Sequence, residues 1–140
     1  AALAPLRVIK AIAFTSRQVT AKLSPWRGTC ANLIGILYDA PPPAADDGPT
    51  LPGGTGRTLD WEDLAKLEHG GVLAGLPPMV LAGGLNAANV GRAIELLQPD
   101  AVDISSGVES SRGVKDAARI TAFCRAVREA DGVCAQRIHN

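Results

Sequence analysis

Two glycine-containing segments, each following an apolar strand, are the parts of this chain best suited to bind an anion. Residues 80–86 read VLAGGLN and residues 103–109 read DISSGVE. Glycine amides allow an anion to approach closely, and a helix that follows adds its positive N-terminal end. Because two such strand–turn–helix units occur in succession, they predict the phosphate grip that (β/α)8 barrels build from the loops after strands 7 and 8. The predicted ligand is a phosphorylated small molecule.

The groups expected to hold the phosphate are backbone amides, with one hydroxyl as an additional donor. They are Gly83, Gly84, Ser106 and Gly107. Glycines also occur at such positions simply because a strand must turn tightly into a helix. Their pairing in successive units favours phosphate. Asp103 shares a strand face with Ser105, so we expect it to point into the barrel and to bind a sugar hydroxyl or an amine.

Asp39 is the candidate general acid. It follows the apolar strand 33–38, at the carboxyl end where catalytic residues of barrel enzymes lie. Strand alternation places it on the same side as Leu37 and opposite Tyr38. A carboxyl group acts as an acid near neutral pH when partial burial raises its pKa. The alternative interpretation is an aspartate that merely starts the proline-rich turn after it.

The composition is that of one globular domain. The chain has 140 residues, 46% of them hydrophobic and 20% charged, with a net charge of +0, which argues against a broad nucleic-acid surface. No apolar run reaches membrane-spanning length. The three cysteines have no CxxC spacing and are expected to be free thiols in the cytoplasm. No cluster of metal ligands is present, so no metal or cofactor is expected.

Strands and helices alternate along the chain. Strands are predicted at 6–12, 33–38, 79–82 and 101–105. Helices are predicted at 16–23, from Asp60 to Gly70, from Asn86 to Pro99, and from Asp116 to about residue 130, with Asp60, Asn86 and Asp116 as their caps. The third helix has an apolar stripe and the fourth an apolar inward face, formed respectively by Val90, Ala93, Ile94 and Leu97 and by Ile120, Phe123, Cys124 and Val127. Residues 41–56 form a long loop, and residues 131–140 a frayed tail. This order predicts an α/β fold with a parallel sheet, for which a doubly wound sheet and a barrel both qualify. Four units are half of a closed barrel, so we expect the inner face of the sheet, lined by residues such as Leu37 and Leu81, to lack its opposite wall.

Six segments in order identify the chain as similar to a known family. They are VIKAI at 8–12, ILYD at 36–39, GGTGRTLDW at 53–61, LAGGLN at 81–86, VDISSGVE at 102–109 and GVKD at 113–116. They resemble the C-terminal half of the phosphoribosylanthranilate isomerase family of tryptophan biosynthesis, over roughly residues 6–128. The resemblance implies a (β/α)8 TIM-barrel type fold, of which residues 1–130 would form about four C-terminal βα units.

The resemblance also implies a reaction. The family converts N-(5-phosphoribosyl)anthranilate into an aminoketose by an Amadori rearrangement, without metal or cofactor. A general acid opens the sugar ring, and a general base then removes the proton on C2. The resemblance makes Asp39 the acid, while Arg57 is a candidate for holding an anion from a mobile loop over the barrel mouth. For Arg57 a solvated loop charge is equally compatible with the sequence.

The family's general base has no counterpart in this chain. That base is a cysteine in a Lys-Ile-Cys-Gly-like segment of the first strand, and this sequence begins just before the expected fifth strand. None of Cys30, Cys124 and Cys134 follows a first strand, so none inherits the role. We therefore expect the chain to need the N-terminal half of the barrel, or self-association, for stability and activity.

Two other functions remain open from the sequence. One is a noncatalytic phosphate-binding half-barrel that works only by association. The other is a different phosphosugar barrel enzyme that shares the phosphate site. The combination of ILYD at 36–39 with the GTGRTLDW segment ending at Trp61 favours the isomerase over the latter.

Overall fold

A computed structural model describes residues 6–28, 31–41 and 59–138. The strands are β1 Val8–Ala13, β2 Leu33–Asp39, β3 Met79–Leu81, β4 Ala101–Val102, β5 Glu109–Ser111 and β6 Val114–Lys115, and the helices are α1 Val19–Leu23, α2 Trp61–His69, α3 Val90–Leu97 and α4 Ala117–Ile138. Short 3-10 turns occupy Ser24–Trp26 and Ser106–Val108. The predicted alternation of strand and helix is confirmed.

Two helices begin at the caps that the sequence predicts. The Asp60 Oδ1 accepts a 3.0 Å hydrogen bond from the Asp63 amide at the start of α2. The Asp116 Oδ1 accepts a 2.9 Å hydrogen bond from the Arg119 amide at the start of α4. In both places a carboxylate satisfies an amide that the helix itself leaves unpaired. Local sequence therefore determines where these helices start.

The predicted cap at Asn86 is wrong in detail. The Asn86 Oδ1 accepts a hydrogen bond from the Ala88 amide at 2.9 Å, within a turn that precedes the helix. Helix α3 itself begins later, at Val90, and Gln98 ends it in the left-handed conformation, with φ of 44°. The predicted apolar stripe of α3 is confirmed, since Val90, Ala93, Ile94 and Leu97 are all buried.

Strands β1 to β4 form one parallel sheet in that order. One row of paired residues crosses all four strands on the face covered by the helices: Ile12, Tyr38, Leu81 and Val102. Tyr38 and Leu81 are 1% and 0% exposed, because the side chains of the helices pack over them. The hydrophobic core therefore lies between the sheet and its helices.

The neighbouring row lies on the opposite, open face of the sheet. It consists of Ala11, Leu37, Val80 and Ala101, none of which is buried. We call this the open face. The uncovered inner face agrees with the expectation for half of a barrel, but Leu81 was expected beside Leu37 on that face. The placement of Leu81 is wrong, since Val80, not Leu81, pairs with Leu37.

The end of the chain differs from the prediction in three places. Strand β4 has only two residues, and a 3-10 turn and the β5–β6 hairpin separate it from α4, instead of a direct turn into the helix. Helix α4 runs to Ile138, beyond residue 131 where a frayed tail was expected. Phe123 faces the core as predicted, but Ile120 is 41% exposed and Cys124 is exposed. Two of the four residues expected to face inward therefore contact the core, Phe123 and Val127, while Ile120 and Cys124 are exposed.

Candidate active site at the carboxyl ends of the strands

Asp39 and the first glycine turn lie against each other. A Cβ atom built on Gly83 would stand 2.6 Å from the Ala40 nitrogen and 3.2 Å from the Asp39 Oδ1. Gly83 also has φ of 83°, which favours glycine. The last residue of β2 and the turn after β3 are therefore in direct proximity, and only glycine fits at position 83.

The Asp39 carboxylate is held at the end of its strand. Its Oδ1 accepts a hydrogen bond from the Ala40 amide at 2.8 Å. The side chain is partly buried, and Asp39 pairs with Ala13 of the edge strand. Because Asp39 comes two positions after Leu37, it lies on the same open face as Leu37. It thus stands at the rim of the open face, where a ligand in the barrel would be.

Asn89 holds the turn at Gly83 and Gly84, both of which have positive φ. Its Nδ2 donates to the Gly84 carbonyl at 3.0 Å, and its Oδ1 accepts from the Asn86 amide at 2.8 Å. The sequence analysis missed this residue. The signal was present, because an asparagine just before an amphipathic helix is a common partner for free turn amides.

The second glycine turn packs onto the first. A Cβ atom built on Gly107 would stand 1.9 Å from the Leu85 carbonyl oxygen and 3.0 Å from the Ile104 Cδ1. No side chain fits there, so the backbone of Ser106–Val108 lies directly on the turn that follows β3. The structure therefore brings together the two turns that the sequence paired.

Asp103 lies on the same open face, two strands from Asp39. The Ala82 amide bonds to the Tyr38 carbonyl and the Asp103 amide to the Leu81 carbonyl, so the register continues one residue beyond the last paired row. Two strand spacings separate the backbones of the two residues by about 10 Å. Asp103 is exposed here and accepts no hydrogen bond from the described residues. The two carboxylates flank the carboxyl end of β3.

Lys115 fastens the second turn from outside. Its Nζ donates to the Ser105 carbonyl at 2.8 Å, to the Ser105 Oγ at 3.3 Å, and to the Glu109 Oε1 at 2.8 Å. The Glu109 Oε2 accepts from the Gly113 amide at 2.9 Å. The bond from Lys115, and then that from Gly113, lowers the pKa of Glu109. The sequence analysis assigned no role to Lys115 or Glu109, because the hairpin that pairs them was not predicted.

Arg57, the glycine cluster at 53–56 and Cys30 fall outside the described residues.

A cleft of about 460 Å³ opens between the β1–α1 connection and the start of α2. Its lining includes Thr15, Arg17 and Asp63, but neither Asp39 nor the glycine turns. Within the described ranges, no group of His, Cys, Asp or Glu is arranged to hold a metal ion. No helix there is long and apolar enough to cross a membrane.

Parallel strands with helices on one face, and candidate groups at the strands' carboxyl ends, define a partial (β/α)8 barrel. Solved barrels confirm this class. A phosphoribosyl anthranilate isomerase from Thermotoga maritima aligns with a TM-score of 0.67 and 31% identity, over 89% of this chain and 53% of that one. Another, in complex with reduced 1-(o-carboxyphenylamino)-1-deoxyribulose 5-phosphate, aligns with a TM-score of 0.61 and 28% identity, over 87% and 48%.

The sequence comparison is more specific. The family described as N-(5'phosphoribosyl)anthranilate (PRA) isomerase matches residues 3–126. The N-(5'-phosphoribosyl)anthranilate isomerase of Mesorhizobium japonicum is 46% identical over 125 residues, which are 89% of this chain and 52% of that protein. This chain belongs to the phosphoribosylanthranilate isomerase family. It spans about half the length of the relatives that it matches.

Proposed function

We propose that this chain supplies the C-terminal half of a barrel that isomerises N-(5-phosphoribosyl)anthranilate to its aminoketose, in tryptophan biosynthesis. One observation carries the proposal. The Asp39 carboxylate lies against Gly83, and the Gly107 turn lies on the residues that follow Gly83. An acid and two glycine turns at one rim are what a reaction on a phosphorylated sugar requires.

In this proposal the chain has two tasks. Backbone amides at Gly83, Gly84, Ser106 and Gly107 hold the phosphate, with the Ser106 hydroxyl as an added donor. Asp39 gives its proton to the ring oxygen, so that the sugar opens to a Schiff base. Asp103, about 10 Å from Asp39, orients a sugar hydroxyl or the amine of the substrate. No step requires a metal or a cofactor.

The proton on C2 must be removed by a general base, and the described cysteines are the first groups to consider. Cys124 lies on helix α4, and the partly buried Cys134 follows further along the same helix, away from the carboxyl ends of the strands. Neither is placed to act as the base. We propose that the base comes from the half of the barrel that this chain does not span.

We also propose that the open face is covered in the active protein. Leu37 and Val80 are only partly buried, and Ile9 is 49% exposed. Both edge strands, β1 and β4, have one side without a partner among the described strands. Exposed apolar surface and free strand edges both favour association. The half of the barrel that this chain does not span would cover the apolar surface and pair with the free strand edges. A second copy of the chain would do so in part.

The experiment joins this chain to the residues that precede the matched region in the Mesorhizobium japonicum relative. We expect the joined protein to isomerise N-(5-phosphoribosyl)anthranilate and this chain alone not to do so. The relative itself is the positive control. A joined protein that folds, binds phosphate and still has no activity would contradict the catalytic proposal.

The second candidate is a noncatalytic phosphate-binding half-barrel, and the uncovered open face favours it. It predicts that this chain alone binds phosphate as an associated species, which its molecular mass in solution would reveal. A monomeric chain with isomerase activity would exclude it. A cytoplasmic location fits either candidate, since Cys124 and Cys134 are free thiols.

A further inference from the structure

We propose that Lys115 is a positioning residue that holds the turn at Ser105, Ser106 and Gly107 in the conformation that receives phosphate. The inference rests on the proposed phosphate site and adds to it a residue outside that site. Lys115 lies on β6, the second strand of the hairpin, and reaches back to Ser105, the residue before the 3-10 turn.

The ammonium group of Lys115 has protein acceptors for all of its donors. An ammonium group has three N–H donors. The Lys115 Nζ lies 2.8 Å from the Ser105 carbonyl, 3.3 Å from the Ser105 Oγ and 2.8 Å from the Glu109 Oε1. All three donors therefore have protein acceptors, so Lys115 acts on the turn and does not serve as a free cation for the phosphate.

The Ser105 carbonyl accepts a hydrogen bond from Lys115 and takes part in the 3-10 turn itself. It also accepts the Val108 amide, at 3.5 Å. This bond and the bond from the Glu109 amide to the Ser106 carbonyl close the 3-10 turn. Lys115 adds a shorter bond to the same oxygen. Because one of the two closing bonds is long, the bond from Lys115 adds support that keeps the Ser106 and Gly107 amides in place.

Glu109, the second residue that Lys115 contacts, is itself held in place. Glu109 accepts Lys115 on one carboxylate oxygen and the Gly113 amide on the other. The Glu109 side chain is only 14% exposed. Two more bonds join this region to α4, from the Asp116 amide to the Val108 carbonyl and from Arg119 to the Glu109 carbonyl. The hairpin is therefore a rigid support for the turn.

The test uses two variants of this chain, Lys115→Met and Lys115→Arg, with inorganic phosphate as the probe. Methionine keeps an unbranched stem and removes the donors, whereas arginine keeps the charge and donors. Lys66→Met is the matched control, since Lys66 forms an ion pair with Asp63 on α2, away from the turns. Two quantities are measured by NMR: amide hydrogen exchange without ligand, and amide shifts during phosphate titration.

We expect Lys115→Met to speed exchange of the Val108 and Glu109 amides, which close the 3-10 turn, by about tenfold. Phosphate affinity at Ser106 and Gly107 should fall roughly fivefold, a modest loss because the ion pair is partly exposed. Lys115→Arg should restore most of the protection from exchange and most of the phosphate affinity. The control, Lys66→Met, should change neither quantity. Glu109→Gln, which loosens the support without removing Lys115, should give a smaller change in the same direction.

Three results would overturn the inference. Unchanged exchange in Lys115→Met would show that the turn does not need the lysine, whether or not affinity falls. Faster exchange with unchanged phosphate affinity would show that the turn's conformation does not matter for binding. If phosphate shifts no amide at Ser106 or Gly107 in the unmodified chain, the proposed phosphate site itself fails. That last result is distinct, because it appears before any variant is made.

Discussion

The Leu85 carbonyl oxygen occupies the position where a side chain on Gly107 would begin. A Cβ atom built on Gly107 would lie 1.9 Å from that oxygen. The turns after β3 and β4 are thus in backbone contact, and this contact gives the candidate phosphate site its shape. Residue 107 must be glycine for reasons of space, since its φ is not among the positive ones.

Gly107→Ala should therefore destabilise the chain and separate the two turns. We expect a loss of about 2 kcal/mol in the free energy of unfolding, measured by urea denaturation, because a backbone carbonyl cannot yield as a flexible side chain does. Gly132→Ala is the matched control, since Gly132 lies in α4 with nothing within 4 Å of the new Cβ. That variant should be neutral or stabilising. Equal stability of the two variants would contradict the close contact.

Asp39→Asn should abolish most turnover in the joined protein described above. Asparagine keeps the shape but has no proton to transfer, so kcat should fall by roughly two to four orders of magnitude while KM changes little. Asp131→Asn, an exposed position on α4, is the control and should have normal kinetics. Near-normal kcat in Asp39→Asn would remove Asp39 from the mechanism.

Ser106→Ala and a larger residue at Gly84 should differ in their effect on phosphate binding. The serine variant loses one hydroxyl donor, so affinity should fall by about 1 kcal/mol. Gly84→Val should lose more, because φ of 67° strains a branched residue and its side chain blocks close approach. Phosphate titration followed by amide shifts measures both. The reverse order would indicate that hydroxyl groups, and not backbone amides, hold the anion.

Tyr38 should ionise late in the folded chain. It is 1% exposed, and burial, followed by the charge of Glu68, raises its pKa to about 12 against a partial opposing effect of Arg27. A raised pKa means that the associated stability is present below pH 10 and is lost as the pH rises toward 12. Because the chain has one tyrosine, absorbance titration reads it directly. Ionisation near 10 in the native chain, as in urea, would show that Tyr38 is not buried.

Glu109 should titrate below its ordinary range. Its pKa is lowered from 4.5 chiefly by the hydrogen bond from Lys115. The stability linked to this carboxylate is present above pH 4.5 and is lost as the pH falls below that value. In Lys115→Met the pKa measured by NMR should move back toward 4.5. If the pKa stays low, the Gly113 amide and the charge of Arg112 account for the shift, and Lys115 does not.

Local signals in the sequence determined much of the fold. The caps at Asp60 and Asp116 act within one turn of helix, and the stripe from Val90 to Leu97 follows helical spacing, so each could be predicted without knowledge of the rest. Asp39 and the glycine turns were placed at strand ends by the same reasoning. These features depend on residues a few positions apart.

Other features depend on which elements meet in space, and only the tertiary structure decided them. Strand alternation shows that the side chains of Leu37 and Leu81 each point to one face of the sheet. Only the register shows which face, since Leu81 pairs with Tyr38 and so faces the helices. The contact between Gly107 and Leu85 joins turns after different strands. The bonds from Lys115 require a hairpin that short-range patterns did not reveal, because its strands have only three and two residues. Register and packing between elements are long-range properties, and the sequence alone does not encode them in any local pattern.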